Sequence, residues 1–149
     1  MPRPVALSTE PSRRRVSDGP LVAVLRDGPS DVTVARRAAH RAQREGRALV
    51  LVVPLPVGPR AARREAAAAI AGRVHPELAK IGQMASVDLA TYVDSRDRRR
   101  RERRLLAAVD RTTARLRAAA VFSAADSLIR LPAPVESGPS TRRSIPRGQ

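Results

Sequence analysis

With 149 residues, no cysteine and a net charge of +15, the chain has room for one domain and excludes disulfides, thiol nucleophiles and thiolate metal sites. A charge of that size attracts nucleic acid, anionic membrane or acidic protein, although 28 of the 29 basic residues are arginine, a skew that a GC-rich genome also produces. Tyr92 and Phe122 are the only aromatic residues, which removes base stacking as a source of single-strand affinity.

Residues 1–19 hold three prolines and Arg13-Arg14-Arg15, and residues 132–149 mix proline, serine and glycine with three more arginines. Such segments bury too little surface to offset their ordering entropy. A flexible basic N-terminal tail (1–19) and a flexible C-terminal tail (132–149) are therefore expected around a domain at 20–131. The apolar stretch behind the arginine triplet is too short for an export signal. No run approaches the length of a membrane span, so no membrane partner and a cytoplasmic location are expected.

Within the domain, "LVAVL" at 21–25 is a continuous apolar run between glycine and proline signals, and reads as a buried strand. Ser30 is placed to cap a helix, with Asp31 in its first turn and Val32, Ala35, Ala38, Ala39 and Ala42 at helical spacing. Gly46 marks its end. "ALVLVVPLPV" at 48–57 is a second buried strand, stopped by its prolines. An alanine-rich helix over 60–74 follows, kinked or restarted at Pro76. "SVDLATYV" at 86–93 alternates, putting Val87, Leu89, Thr91 and Val93 on one face of a strand nearer an edge. Asp94 or Ser95 can cap the next helix, with Asp97 at its positive end and Leu105, Val109, Thr112 and Leu116 in a stripe. "AAAVFS" at 118–123 is a fourth strand and "SLIRLP" at 127–132 a short fifth. This alternation predicts an α/β fold: a doubly wound, mostly parallel sheet of four or five strands with helices on both faces.

An apolar strand ending in "DGPS", an alanine-rich helix, a glycine turn and then "ALVLVVPLPV" together resemble the opening of the universal stress protein family. The later order of elements resembles it over 20–131. The resemblance implies a nucleotide pocket, with Asp27 near the base, Gly28 and Ser30 in the same turn, and Val53 and Pro54 offering backbone contacts to adenine. It also implies a homodimer formed through the last strand, here "SLIRLP". The chain departs from the family at the Gly-x2-Gly-x9-Gly-Ser/Thr loop that holds ATP phosphates after the fourth strand. Here no glycine occurs between Phe122 and Gly138. Ala124, Ala125 and Leu128 would crowd a phosphate path that needs bare backbone, and Pro132 and Pro134 preclude the helix that should follow. The expectation is a degenerate pocket with no resident cofactor, one that does not take ATP or AMP in the usual way.

"RDRRRRERR" at 96–104 is the other conspicuous stretch. Counting back from Leu105 along its stripe reaches Arg101 and Arg98, so this helix start projects into solvent or frames an anion. Arg98, Arg99, Arg100, Arg101, Arg103 and Arg104 are the candidate contacts for nucleic acid or an acidic protein, acting through charge alone. His40 and His75 lack partners at metal or triad spacing, and no Gly-x-Ser-x-Gly or Ser-x-x-Lys occurs. The sequence thus predicts a non-enzymatic regulatory or stress-response domain. The alternatives are a sequence-nonspecific nucleic-acid binder and a nucleotide-binding domain with an unusual phosphate loop.

Overall fold

The first two strands are buried because helices cover the sheet on both sides, and that is why they read as unbroken apolar runs. The computed structural model describes residues 18–124; the expected fifth strand, the domain's C-terminal limit and the dimer contact at 127–132 lie outside them. Strand β1 (Leu21–Val24) is buried throughout. Helix α1 (Asp31–Glu45) follows and ends on Gly46, whose φ of 65° is the left-handed conformation that favours glycine. The amides of Gly46 and Arg47 close that end on the carbonyls of Gln43 and Ala42. The buried face of α1 carries Val34, Ala35, Ala38, Ala39 and Ala42; Val34 takes the place expected of Val32, which is half-buried.

Strand β2 (Leu49–Pro56) runs through the prolines that were expected to stop it. Its hydrogen bonds show why. Leu21 donates to the Ala48 carbonyl and Leu25 to that of Val52, so the even-numbered residues of β2 face β1. The β1 pairing ends at Val24 with Val52. Pro54 and Pro56 lie beyond that end, where no neighbour asks for their missing N–H. Helix α2 (Arg60–Gly72) and helix α3 (His75–Ile81) follow, the second restarting with Pro76 in its first turn and closing on Gly82. Strand β3 (Ala85–Tyr92), helix α4 (Arg98–Leu116) and strand β4 (Ala120–Phe122) complete the described chain.

All strand pairs are parallel and the order is β3-β2-β1-β4. One side of the sheet packs Leu21, Leu51, Val53 and Phe122 against α1, α2 and α3. The other packs Val22, Val24, Val50 and Val52 against Leu105, Ala108 and Val109 of α4. The chain steps outward from β1 to β3 and then returns across the sheet to β4. This is the doubly wound α/β fold the sequence predicts.

Val87, Leu89, Thr91 and Val93 share one side, and β3 lies at the edge of the described sheet as expected, but the most buried residues are on the other face. Ala90 and Tyr92 are its buried residues, whereas Val87 and Val93 are exposed. The even-numbered face lies under α4, where Ala90 and Tyr92 pack with Leu105, Ala108 and Val109. The odd-numbered face lies toward α2, whose buried residues are Ala67, Ile70 and Ala71, too small as a set to cover it.

Candidate functional site

In an open parallel sheet, ligands bind at the carboxyl ends of the strands where the strand order reverses. Here that point lies between β1 and β4, and its first wall is the loop of residues 26–30. The expected cap, Ser30, makes no side-chain bond to the helix. Asp31 organises the loop instead. Its carboxylate folds back and accepts from the amides of Arg26 at 2.9 Å, Asp27 at 2.9 Å and Gly28 at 3.3 Å. Only 6% of Asp31 is exposed, at the positive end of α1. In dinucleotide-binding proteins of this architecture, a phosphate occupies the N–H groups at that place. In this chain a built-in carboxylate occupies them.

Asp27 sits at the tip of the loop with a φ of 63°, a conformation that aspartate tolerates better than most residues. Its carboxylate is engaged by the Arg73 guanidinium from just beyond α2. Gly28 is exposed, and a Cβ added there would meet nothing within 4 Å. Val53 is fully buried. As an odd-numbered residue of β2 it turns its backbone to β3, where it pairs with Leu89. Pro54 directs a carbonyl, and no N–H, toward the crevice side. Of the residues expected at a nucleotide pocket, the structure thus brings Asp27, Gly28 and Ser30 together in one loop and leaves Val53 inside the sheet. At the other wall, Ser123 and Ala124 are half-buried; the segment in which the phosphate loop was sought continues outside the described residues.

The arginine-rich helix start borders the same end of the sheet. Asp97, rather than Asp94 or Ser95, is its N-cap and accepts from the amides of Arg99 at 2.9 Å and Arg100 at 3.2 Å. Arg101 is turned to structural use, bonding the Asp94 carboxylate and the Ser95 carbonyl, each at 3.1 Å. Arg104 donates to the carbonyls of Val93 and Asp94. These two clamp the β3–α4 connection. Across the crevice Arg26 pairs with Glu102 at 2.9 Å. Arg98, Arg99, Arg100 and Arg103 are exposed, and their side chains meet no partner among the described residues. Beneath them lies Tyr92; burial pushes its phenol above the ordinary range and Asp94 adds to the shift, so it is poorly placed to act as a base. His40 and His75 are both exposed. Among the described residues no three His, Asp or Glu side chains gather as a metal site would require, and no helix is long and apolar enough to cross a membrane.

Sequence reasoning missed Asp31 and Arg73 as determinants of this site. An acid directly after "DGPS" was visible, but its inward turn depends on the loop conformation. Arg73 carries no signal at all, because its partner is 46 residues away.

The fold and this crevice define a doubly wound, Rossmann-like α/β protein. Comparison of the chain with protein-family models, with curated proteins and with solved structures finds no match.

Proposed function

We propose that this chain is a non-enzymatic regulatory domain of the universal-stress-protein kind, whose nucleotide crevice is closed by its own side chains. One observation carries the reading: the amides of Arg26, Asp27 and Gly28, which would otherwise face a phosphate, are all bonded to the Asp31 carboxylate. Arg73 holds Asp27 in the same loop. A nucleotide placed at this end of the sheet would bring phosphate against a buried carboxylate and find the amides of Arg26, Asp27 and Gly28 already bonded. The reading includes a stress-related role, a cytoplasmic location and a homodimer; light scattering on the full chain checks the last, and a monomer at every concentration removes it.

The nucleotide part is tested by thermal shift. ATP, AMP and inorganic polyphosphate are expected to give no saturable stabilisation specific to a nucleotide. A ligand at 100 times its dissociation constant would add about 2.7 kcal/mol, well within detection. A saturable ATP shift that polyphosphate does not reproduce, and that Asp27→Ala abolishes, overturns the reading in favour of a nucleotide-binding domain with an unusual phosphate loop.

A second reading rests on a different observation, the four exposed arginines of α4 that meet no partner among the described residues. If they hold a polyanion, affinity for duplex DNA should fall with salt at a slope of about −0.9 per phosphate neutralised, independent of sequence. Changing Arg98, Arg99, Arg100 and Arg103 together to Gln should flatten that slope while shifting stability by no more than about 0.5 kcal/mol per site. Arg104→Gln should instead cost about 1 kcal/mol of stability, because it removes the donor to two carbonyls. Marked preference for one DNA sequence would show that the helix reads bases, contrary to this account.

A further inference from the structure

A second concavity lies away from the crevice, along the edge at β3 that has no neighbouring strand among the described residues. It encloses about 730 Å³ between Arg60, Arg64 and Ala71 of α2, His75, and Val87 and Leu89 of β3. The groove exists because the alanine face of α2 leaves the odd-numbered side of β3 uncovered, so that Val87 is 40% exposed.

Two hydrogen bonds fix which backbone groups face outward. The Tyr92 carbonyl accepts from Val57, so Tyr92 and, by alternation, Ala90 and Asp88 turn their backbones toward β2. The Leu89 amide bonds the Asp88 carboxylate at 2.9 Å instead of a neighbouring strand. Val87 and Thr91 therefore turn their N–H and C=O groups to the edge, and Leu89 its C=O, its N–H being held by Asp88, in the spacing that templates another strand.

The groove beside this edge is cationic. Arg63 is committed, donating to the Gly58 carbonyl and the Thr91 hydroxyl. Arg60 and Arg64 are exposed and have no partner among the described residues. The acid at the edge, Asp88, is already engaged by the Leu89 amide and by Arg115. The chain's own remaining segments do not complement the groove: residues 1–17 and 125–149 carry eight arginines against three acids. A second copy would bring the same arginines and set Asp88 near its twin.

We propose that the β3 edge and its groove bind an extended acidic segment of a partner protein, added to the sheet as a strand beside β3. The partner's backbone pairs with Val87, Thr91 and the Leu89 carbonyl. Its groove-side residues, which recur at every second position, set apolar side chains on Val87 and Leu89 and a carboxylate within reach of Arg60 and Arg64. This proposal is independent of the nucleotide crevice.

The test uses the full chain and a fluorescein-labelled heptapeptide, Glu-Thr-Val-Thr-Val-Thr-Glu, whose valines and glutamates share one face of a strand, read by anisotropy. Saturable binding is expected, and Arg60→Glu with Arg64→Glu should weaken it by about tenfold or more. Methylating alternate backbone nitrogens of the peptide should weaken it comparably, since that deletes ladder donors and leaves charge intact. Thermal melting of the double variant should match the parent, because both arginines are exposed. Equal binding of heptaglutamate or of a single-stranded oligonucleotide would reduce the groove to an unspecific polyanion patch and overturn the proposal. Unchanged peptide affinity in the double variant would do the same. So would a dimer that Val87→Lys dissolves and the peptide cannot displace, which would assign the edge to a second copy of this chain.

Discussion

Asp31→Ala is expected to destabilise the protein by about 3 kcal/mol, since three amides lose a charged acceptor in one substitution. Over a domain of this size that lowers the melting temperature by roughly 10–20 °C. Asp31→Asn should be milder, because the amide oxygen keeps part of the acceptor role. The Ala variant has a second expected property. With the carboxylate gone, the loop amides and the positive end of α1 form an open anion site. Phosphate or sulfate should then restore part of the lost stability in the variant and do nothing comparable for the parent. If Asp31→Ala melts like the parent, the carboxylate is not what holds the loop. If phosphate stabilises both proteins equally, the parent crevice is open and the proposed function loses its main support.

How much of this could be read from the sequence depends on how local the cause is. Gly46 ends α1 through its own backbone freedom, so that helix was legible. Strands β1, β2 and β4 were legible because both faces are buried, and burial on both faces leaves an apolar run. The phase of β3 was not. Val87, Leu89 and Val93 advertise one face, but Ala90 and Tyr92 occupy the other, and only the packing of α4 decides between them. The cap of α4 failed for a related reason. Asp94, Ser95 and Asp97 all have the right chemistry, and the loop length selects Asp97. In the candidate site, Asp27 was visible as turn chemistry, whereas its ion pair with Arg73 requires α2 to end above the β1 loop. The arginines of α4 were visible as a group, but the division between clamps (Arg101 and Arg104) and exposed charges (Arg98, Arg99, Arg100 and Arg103) follows from the course of residues 93–97. The groove at β3 was invisible because it arises from what α2 fails to cover.

The glycines make the same point as an experiment. Gly19 and Gly28 both flank β1 and both look like turn residues, yet opposite outcomes are expected from them. A Cβ on Gly19 would lie 1.7 Å from the Arg117 carbonyl oxygen, a backbone atom at the turn between α4 and β4. That approach brings the entries of β1 and β4 together, through Ala119 donating to the Pro20 carbonyl at 2.8 Å. It also leaves the Gly19 carbonyl in reach of Arg47 at 2.9 Å. No rotamer relieves a clash between two main chains, so Gly19→Ala must separate the two strand entries. A cost of about 3 kcal/mol or more is expected, at the upper end for overpacking, with a melting temperature lowered by roughly 10–20 °C. At Gly28 the added Cβ meets nothing within 4 Å. Gly28→Ala is expected to leave stability unchanged or to raise it by a few tenths of a kcal/mol up to about 1, through the stiffer unfolded chain. Since the clash parts the entries of β1 and β4, hydrogen exchange at the amides of Leu21 and Ala120 should accelerate together. If Gly19→Ala melts like the parent and Gly28→Ala does not, the two strand entries are held by something other than this backbone contact.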